Sequence, residues 1–512
     1  MSRPITTLRV VALVAAAALA LAGCGGSAGA GGPGATTLKW GFSLPTSWDP
    51  VTSSTGNDIN TISLVYASLT QLDEKGNAVP GLAESWAYNA DGTAVTFTLR
   101  PNLTFTDGTP INGDAVAKSL LRGKTQENSL LKDQLSTIKD AKAADDLHVT
   151  LQLAAPDYQV PNLLAGKTGA IVSPKAFTTD AKAIPTNPVG AGPFKFESFV
   201  PESHATLVKN PGYWDAKDIK IDRLELSVST DPATVIAAVQ TGSLDVAVIT
   251  GTQVAQAKAA GLAVDVIDSF TVNQVDVHNG LAPLDDAKVA EALKYAIDRK
   301  ELIDVLNGGI GDVTYQPFPK GYVAYNPTLD TEYSYDPAKA KALLAAAGHP
   351  EGTLNIQITV NSVQESRAEL VQEQLKRVGV NSTIKLVPPG SSTWQQEVYL
   401  GRKAQFALDG TVGRESPVQN LTVVYGPQGL MNVSRTASPE FLAALDTVRK
   451  TPLDAPNYAA VLQNAVKIGV LQSPSISLGT VPRIVIRNQN VSPLPHFPSQ
   501  FRWDGVTVGA GA

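Results

Sequence analysis

The chain has 512 residues, 43% hydrophobic and 17% charged, with a formal net charge of −6. That composition excludes a disordered chain, and the acidity argues against nucleic acid as a partner. A single cysteine excludes an internal disulfide framework and a Cys-rich metal centre, and the five histidines show no HExxH spacing, so neither metal nor cofactor is expected. At about 100–200 residues per domain, the length predicts two to four domains or one large interrupted one.

The first 23 residues read as an export signal. Arg3 and Arg9 supply the positive start, and Val10 to Ala22 is an almost unbroken apolar run. That run is short for a transmembrane helix, which needs about 20 residues. Leu21-Ala22-Gly23-Cys24 has the form of a bacterial lipobox, and Cys24 is the sole cysteine. Cys24 is therefore expected to be the mature N-terminus and to carry lipid. Residues 24–36 are nearly all Gly, Ala, Ser and Pro and read as a flexible tether.

Strand and helix signals then alternate without a repeat. Thr93 to Leu99 places Val95, Phe97 and Leu99 on one face, a half-buried strand. His148 to Leu153, Phe194 to Phe199 and Leu354 to Val360 read alike. Asp107-Gly-Thr-Pro110 predicts a tight turn, with a helix from about Asp114. Gly190 and Gly192 suggest backbone angles that other residues resist. Asp231-Pro232 opens a helix that Gly242 follows. Asp285/Asp286 open another, with Val289, Leu293, Ala296, Ile297 and Ile303 at helical spacing. Asp336-Pro337 opens a third, stopped by Gly348 and Pro350. Ala368, Val371, Leu375 and Val378 mark a fourth, closed by Gly379. The pattern predicts an α/β body with mixed sheets and mutually interrupting domains.

Catalytic signatures fail on context. The G-x-S-x-G and G-x-G-x-x-G matches at 25–29 and 29–34 fall in the tether, where no strand–turn–helix can form. The Gly-Lys-Thr triplets at 123–125 and 166–168 lack the preceding glycine of a phosphate loop, since Lys118 and Pro161 stand there. No enzyme activity is expected.

Seven segments form an ordered series: Tyr66-Ala-Ser-Leu-Thr-Gln-Leu-Asp73, Val79-Pro-Gly-Leu-Ala-Glu-Ser-Trp86, Thr96-Phe-Thr-Leu-Arg100, Phe105-Thr-Asp-Gly-Thr-Pro110, Pro188-Val-Gly-Ala-Gly-Pro-Phe194, Lys209-Asn-Pro-Gly-Tyr-Trp214 and Val289-Ala-Glu-Ala-Leu-Lys-Tyr-Ala-Ile-Asp-Arg299. Together they resemble the family 5 extracellular solute-binding proteins of ABC importers, the oligopeptide, dipeptide and nickel receptors, from about residue 37 onward. The resemblance implies a two-lobed, periplasmic-binding-protein-like α/β fold with an extra subdomain and a hinge. Lobe one would take 37–57, 186–277 and 479–512, the subdomain 58–185 and lobe two 278–478, with crossings near His278–Asn279 and Leu478–Gly479. It also implies a monomeric receptor outside the cytoplasm, held to the membrane through Cys24, that delivers short peptides or peptide-like solutes to a permease and its ATPase. The alternatives are a non-peptide anionic solute (opine-like, glutathione-like, an oligosaccharide or a chelated metal) and, more remotely, a secreted hydrolase or surface sensor.

In peptide-binding members a lobe-two aspartate takes the ligand's amino terminus. With Pro417 as anchor, its position falls on or beside Arg414, which prefers a carboxylate or phosphate. Arg414 therefore reads either as the contact for an anionic group of the ligand or as the partner of Asp409 or Glu415 in a structural ion pair. Glu415 could alternatively take a ligand amine, and Asp409 belongs to the same candidate site. Trp394 and Trp48 lie in loops resembling the family's ligand-facing loops, where they would serve as aromatic walls or as core.

Overall fold

The computed structural model describes residues 36–229, 232–388, 391–411, 413 and 415–509. The export signal, the tether up to residue 35 with Cys24, and Asp231 and Arg414 lie outside the described residues.

Among these, eighteen strands follow in chain order: β1 Thr37–Phe42, β2 Thr70–Leu72, β3 Ala78–Pro80, β4 Ala83–Tyr88, β5 Ala94–Leu99, β6 Ile138–Ala143, β7 His148–Leu153, β8 Phe194–Val200, β9 His204–Lys209, β10 Arg223–Val228, β11 Val246–Ile249, β12 Ala263–Ile267, β13 Val272–Val277, β14 Leu354–Asn361, β15 Val380–Val387, β16 Phe406–Thr411, β17 Ile476–Thr480 and β18 Arg483–Arg487. They build a seven-stranded sheet in the order β12-β18-β11-β1-β10-β9-β8 and a five-stranded sheet, β15-β14-β16-β13-β17. A four-stranded antiparallel sheet, β4-β5-β7-β6, and the short β2-β3 pair complete the set. The two larger sheets are mixed: β1 runs parallel to β10 and β11, and β14 runs parallel to β15 and β16.

Each large sheet organises a lobe with its own core. Leu38 and Trp40 of β1 share one apolar cluster with Val95, Phe97 and Leu99 of β5, so the four-stranded sheet packs on lobe one. Phe406, Leu408 and Ile358 belong to a second cluster with the helices of lobe two. Burying side chains of this size stabilises by about 1.5–3 kcal/mol each, which favours burial of the alternating face of β5.

The crossings between lobes lie elsewhere than the sequence suggests. β12 ends in the first sheet at Ile267 and β13 begins in the second at Val272; β17 ends at Thr480 in the second and β18 starts at Arg483 in the first. The chain thus crosses at 268–271 and 481–482, because β13 and β17 pair with one another inside lobe two. The two crossing segments are tied together: Ser269 Oγ donates to Val481 O at 2.6 Å, and Val481 N to Thr271 O at 2.9 Å.

The helix signals hold in most places. Asp336 caps Pro337–Ala346 by accepting from Lys339 N, and Gly379, at φ 82°, follows Glu365–Arg377. The single helix expected after Asp286 is broken. Ala287–Ala296 ends where Ile297 turns extended, and the Asp298 carboxylate caps a new helix, Arg299–Asn307, by accepting from Glu301 N. A capping aspartate competes with helical continuation, and here it wins.

The family-like segments hold one another in place. Arg100 stacks over Trp214 at 4.3 Å and donates to Gly81 O at 2.8 Å. Gly190 and Gly192 are not at positive φ. Their requirement is space, since a Cβ on Gly190 would sit 2.3 Å from Val65 O and one on Gly192 2.5 Å from Val65 C. Arg299 is buried and donates to Ser477 O, Lys294 O and Tyr333 O, fixing β17 against the helices.

Candidate functional site

The lobes and the four-stranded-sheet region converge at the carboxyl end of β16. Gly413, just beyond that strand, lies against Phe270 of the hinge segment, where an added Cβ would fall 1.8 Å from Phe270 Cβ. Glu415 follows, and its carboxylate rests on Gly166: a Cβ there would meet Glu415 Oε1 at 1.9 Å. Lys167 is buried, and its Nζ donates to Ser53 O at 3.0 Å and Thr55 O at 2.9 Å of lobe one. Asp58 gathers the same loop by accepting from Ser53 Oγ at 2.7 Å and Thr55 Oγ1 at 2.8 Å. Leu72 and Ala165 join the apolar cluster of lobe two beside Phe270 and Tyr322.

Beneath this junction β13 and β16 carry a buried polar cluster. Gln274 pairs with Asp409 in register, and Asp276 with Ala407. The Gln274 amide donates to Asp276 Oδ1 and accepts from Thr411 Oγ1. The Tyr399 hydroxyl donates to the Asp409 carboxylate, as does Gly410 N at 2.8 Å, and the Trp394 indole lies near enough to help hold its charge. Arg367 donates to Asp409 O at 3.4 Å and to Gln364 Oε1 at 3.2 Å.

Burial sets the electrostatics here. It pushes the Asp276 carboxyl well above the usual carboxylate range, and the neighbouring Asp409 charge pushes it further; the Gln274 hydrogen bond offsets little. Burial also raises Asp409, opposed by Tyr399, Gly410 N, Trp394 and Arg367. Asp276 Oδ2 has no hydrogen-bond partner among the described residues. A neutral acid is the form that such a site tolerates.

The structure brings Trp394 close to Asp409 and sets it at 9% exposure beside Tyr399. It sets Glu415 at the junction with Gly166. Trp48 is different: at 0% exposure it packs edge-on against Phe196, with ring centroids 5.2 Å apart, in the core of lobe one. In this conformation core packing takes the place of the expected aromatic wall. Arg414 lies outside the described residues.

Sequence reasoning missed Asp276, Gln274, Tyr399 and Arg367. The signal in β13 was ambiguous, since Asn273, Gln274 and Asp276 alternate with valines as a half-exposed strand would, and Tyr399 and Arg367 lie on helices far from it in sequence. The arrangement gathers carboxyl groups, a guanidinium and hydroxyls along β13 and β16, most of them hydrogen-bonded to one another. Among the described residues no group of three or more His, Cys, Asp or Glu side chains could hold a metal, and no helix is long and apolar enough to cross a membrane.

Residues 77–429 match the profile of the bacterial extracellular solute-binding proteins, family 5 middle. The glutathione-binding protein GsiB of Pectobacterium atrosepticum is 30% identical over 360 residues, 69% of either chain. GsiB of Salmonella typhimurium is 30% identical over 337 residues, 65% of either chain. HbpA2 from Haemophilus parasuis superposes with a TM-score of 0.76 at 26% identity, over 92% of this chain and 100% of that one. The periplasmic binding protein DppA from Helicobacter pylori, in complex with the peptide STSA, gives a TM-score of 0.80 at 21% identity, over 93% and 98%, a likeness of fold.

Proposed function

The chain belongs to the bacterial extracellular solute-binding proteins of family 5, and from that premise we propose that it holds a short peptide or peptide-like solute between its lobes and presents it to an ABC import permease. One observation carries the ligand class. The Glu415 carboxylate stands on the loop after β16, against Gly166, and the Arg367 guanidinium donates to Asp409 O within that strand. A zwitterion, with ammonium and carboxylate groups, complements such a pair. The relatives named for glutathione, itself a peptide, agree with this class.

Arg414 is assigned, from the sequence alone, to an anionic group of the same ligand. A non-peptide anion is the second reading. It is favoured by Arg367, a half-buried guanidinium whose hydrogen bonds among the described residues go to an amide and a carbonyl oxygen. Cys24 is proposed to bear the lipid that holds a monomeric receptor to the outer face of the membrane, and catalysis is not part of the reading.

Mass spectrometry of solute released from the freshly purified, denatured protein tests the class, followed by calorimetry with that solute, with glutathione and with a dipeptide set. A peptide or peptide-like compound bound one to one is expected. Arg367→Ala should weaken it about 30-fold, the loss of one member of a desolvated charge pair. Recovery of a sugar or an opine would favour the second reading. Products altered on incubation would overturn the receptor reading.

A further inference from the structure

A second cleft, of about 490 Å³, opens between the four-stranded sheet and lobe two, apart from the β16 junction. Its volume falls in the usual small-molecule range of about 300–1,000 Å³. Trp86, Tyr88 and Tyr158 wall it on one side, Tyr458 on the other, with Asn162 within and Asp454 exposed among its lining residues.

The hydroxyls of two of these tyrosines are already engaged. Tyr88 Oη donates to Asp157 O at 2.9 Å, and Tyr458 Oη to Gln159 Oε1 at 2.9 Å. What remains on offer is ring surface. Tyr88 and Tyr158 lie with centroids 4.5 Å apart, and Gly92, at φ 70°, leaves room for the Tyr158 ring, which a Cβ would approach to 2.9 Å. Asn162 is 4% exposed; its Nδ2 donates to Gly76 O at 3.1 Å, while its buried Oδ1 has no partner among the described residues. An orphaned buried acceptor asks for a donor. Among the described residues no lysine or arginine lines the cleft, and Asp454 supplies the one formal charge there.

We propose that this cleft is a second ligand site, for a flat ring carrying an N–H or O–H donor and no negative charge. The ring would lie between the aromatic walls, its donor would reach Asn162 Oδ1, and a cationic substituent would be favoured by Asp454. The ring could belong to a free small molecule or to a side chain of the solute held at the β16 junction. Tyr322 links the two places, since its ring packs over Gly76 and the Glu415 charge bears on its hydroxyl. The proposal stands whatever the junction itself binds.

The test is calorimetric titration of the whole exported chain with tryptamine, indole and indole-3-acetate. These share one N–H-bearing ring and differ in charge. Saturable binding is expected, in the order tryptamine, indole, indole-3-acetate. Trp86→Ala should weaken tryptamine about tenfold. Asp454→Asn, an exposed change that leaves folding unaffected, should erase the preference of tryptamine over indole. Asn162→Leu should weaken all three probes. Competition between tryptamine and the solute released from the protein would assign the ring to that solute, and simultaneous binding would assign it to a separate molecule; both uphold the site. Absence of saturable binding by tryptamine and indole at millimolar concentration, or affinities unchanged in folded Trp86→Ala and Asp454→Asn, overturns it.

Discussion

The Tyr458 hydroxyl donates to Gln159 Oε1 at 2.9 Å, joining lobe two to the four-stranded-sheet region. Beside it Tyr158 N donates to Arg449 O at 2.8 Å. These bonds lie away from the hinge, and separation of the lobes would break them. Tyr458→Phe keeps the ring and deletes the bond. A net hydrogen bond contributes about 0.5–1.5 kcal/mol, so solute affinity should fall about two- to tenfold through a smaller closed population. Calorimetry beside unliganded melting curves checks this. Unchanged affinity with a lower melting temperature would make the bond scaffold only.

Gly413→Ala forces a Cβ toward Phe270 Cβ, with the Phe270 backbone 2.8 Å away. The backbone neighbours cannot swing aside. Overpacking of this kind costs about 1–3 kcal/mol, and chemical denaturation should show it. The loop after β16 must shift to relieve the clash, so solute affinity should fall as well. A variant with wild-type stability and affinity would show that this loop does not need its close approach to the hinge.

The Asp276 carboxyl is raised in the folded protein by burial and then by Asp409. The folded state therefore holds a proton that the unfolded chain releases near pH 3.9. Stability from this group is complete at low pH and is lost as pH rises from about 4 through the raised folded value. The groups around it are Asp409, which opposes its charge, and Gln274, which donates to it; Tyr399 and Arg367 act through Asp409. Asp276→Asn keeps an acceptor for Gln274 and removes the titration. It should match the wild type at and below about pH 4 and exceed its melting temperature increasingly as pH rises from there toward the raised folded value. Parallel pH profiles for the two proteins would show that Asp276 is ionised without cost.

Much of the scaffold was legible in the sequence, and the reasons are local. Alternation in β5 identifies a strand because Val95, Phe97 and Leu99 share one buried face, and Asp336 with Gly379 punctuates helices by capping and by positive φ. The crossings were not legible. β13 reads Val-Asn-Gln-Val-Asp-Val, and its polar residues imitate a solvent face although Gln274 and Asp276 are buried against each other and Thr411. Pairing across 137 residues, from Gln274 to Thr411, leaves no trace in local periodicity. The break at Ile297 was hidden for a related reason: Leu293 and Ile303 keep helical spacing across a cap that interrupts the helix. Among the candidate site residues, Trp394 and Asp409 proved to be neighbours, whereas Trp48 is enclosed by Phe196 and Phe199, contacts that depend on the distant strand β8.

Cys24→Ala should leave the precursor unprocessed or release the protein to the medium. Fractionation of cells into membrane and medium, with the N-terminal mass of each pool, checks this. Normal processing with unchanged membrane retention would contradict the assignment of lipid to Cys24.

The central claim is closure of two lobes on a bound solute, and small-angle scattering of the exported chain tests it most directly. With the released solute added back at about 100 times Kd, the radius of gyration should fall while the forward scattering stays that of one chain. The melting transition should rise by the equivalent of about 2.7 kcal/mol. An unchanged radius at saturating solute, confirmed bound by calorimetry, would contradict the account.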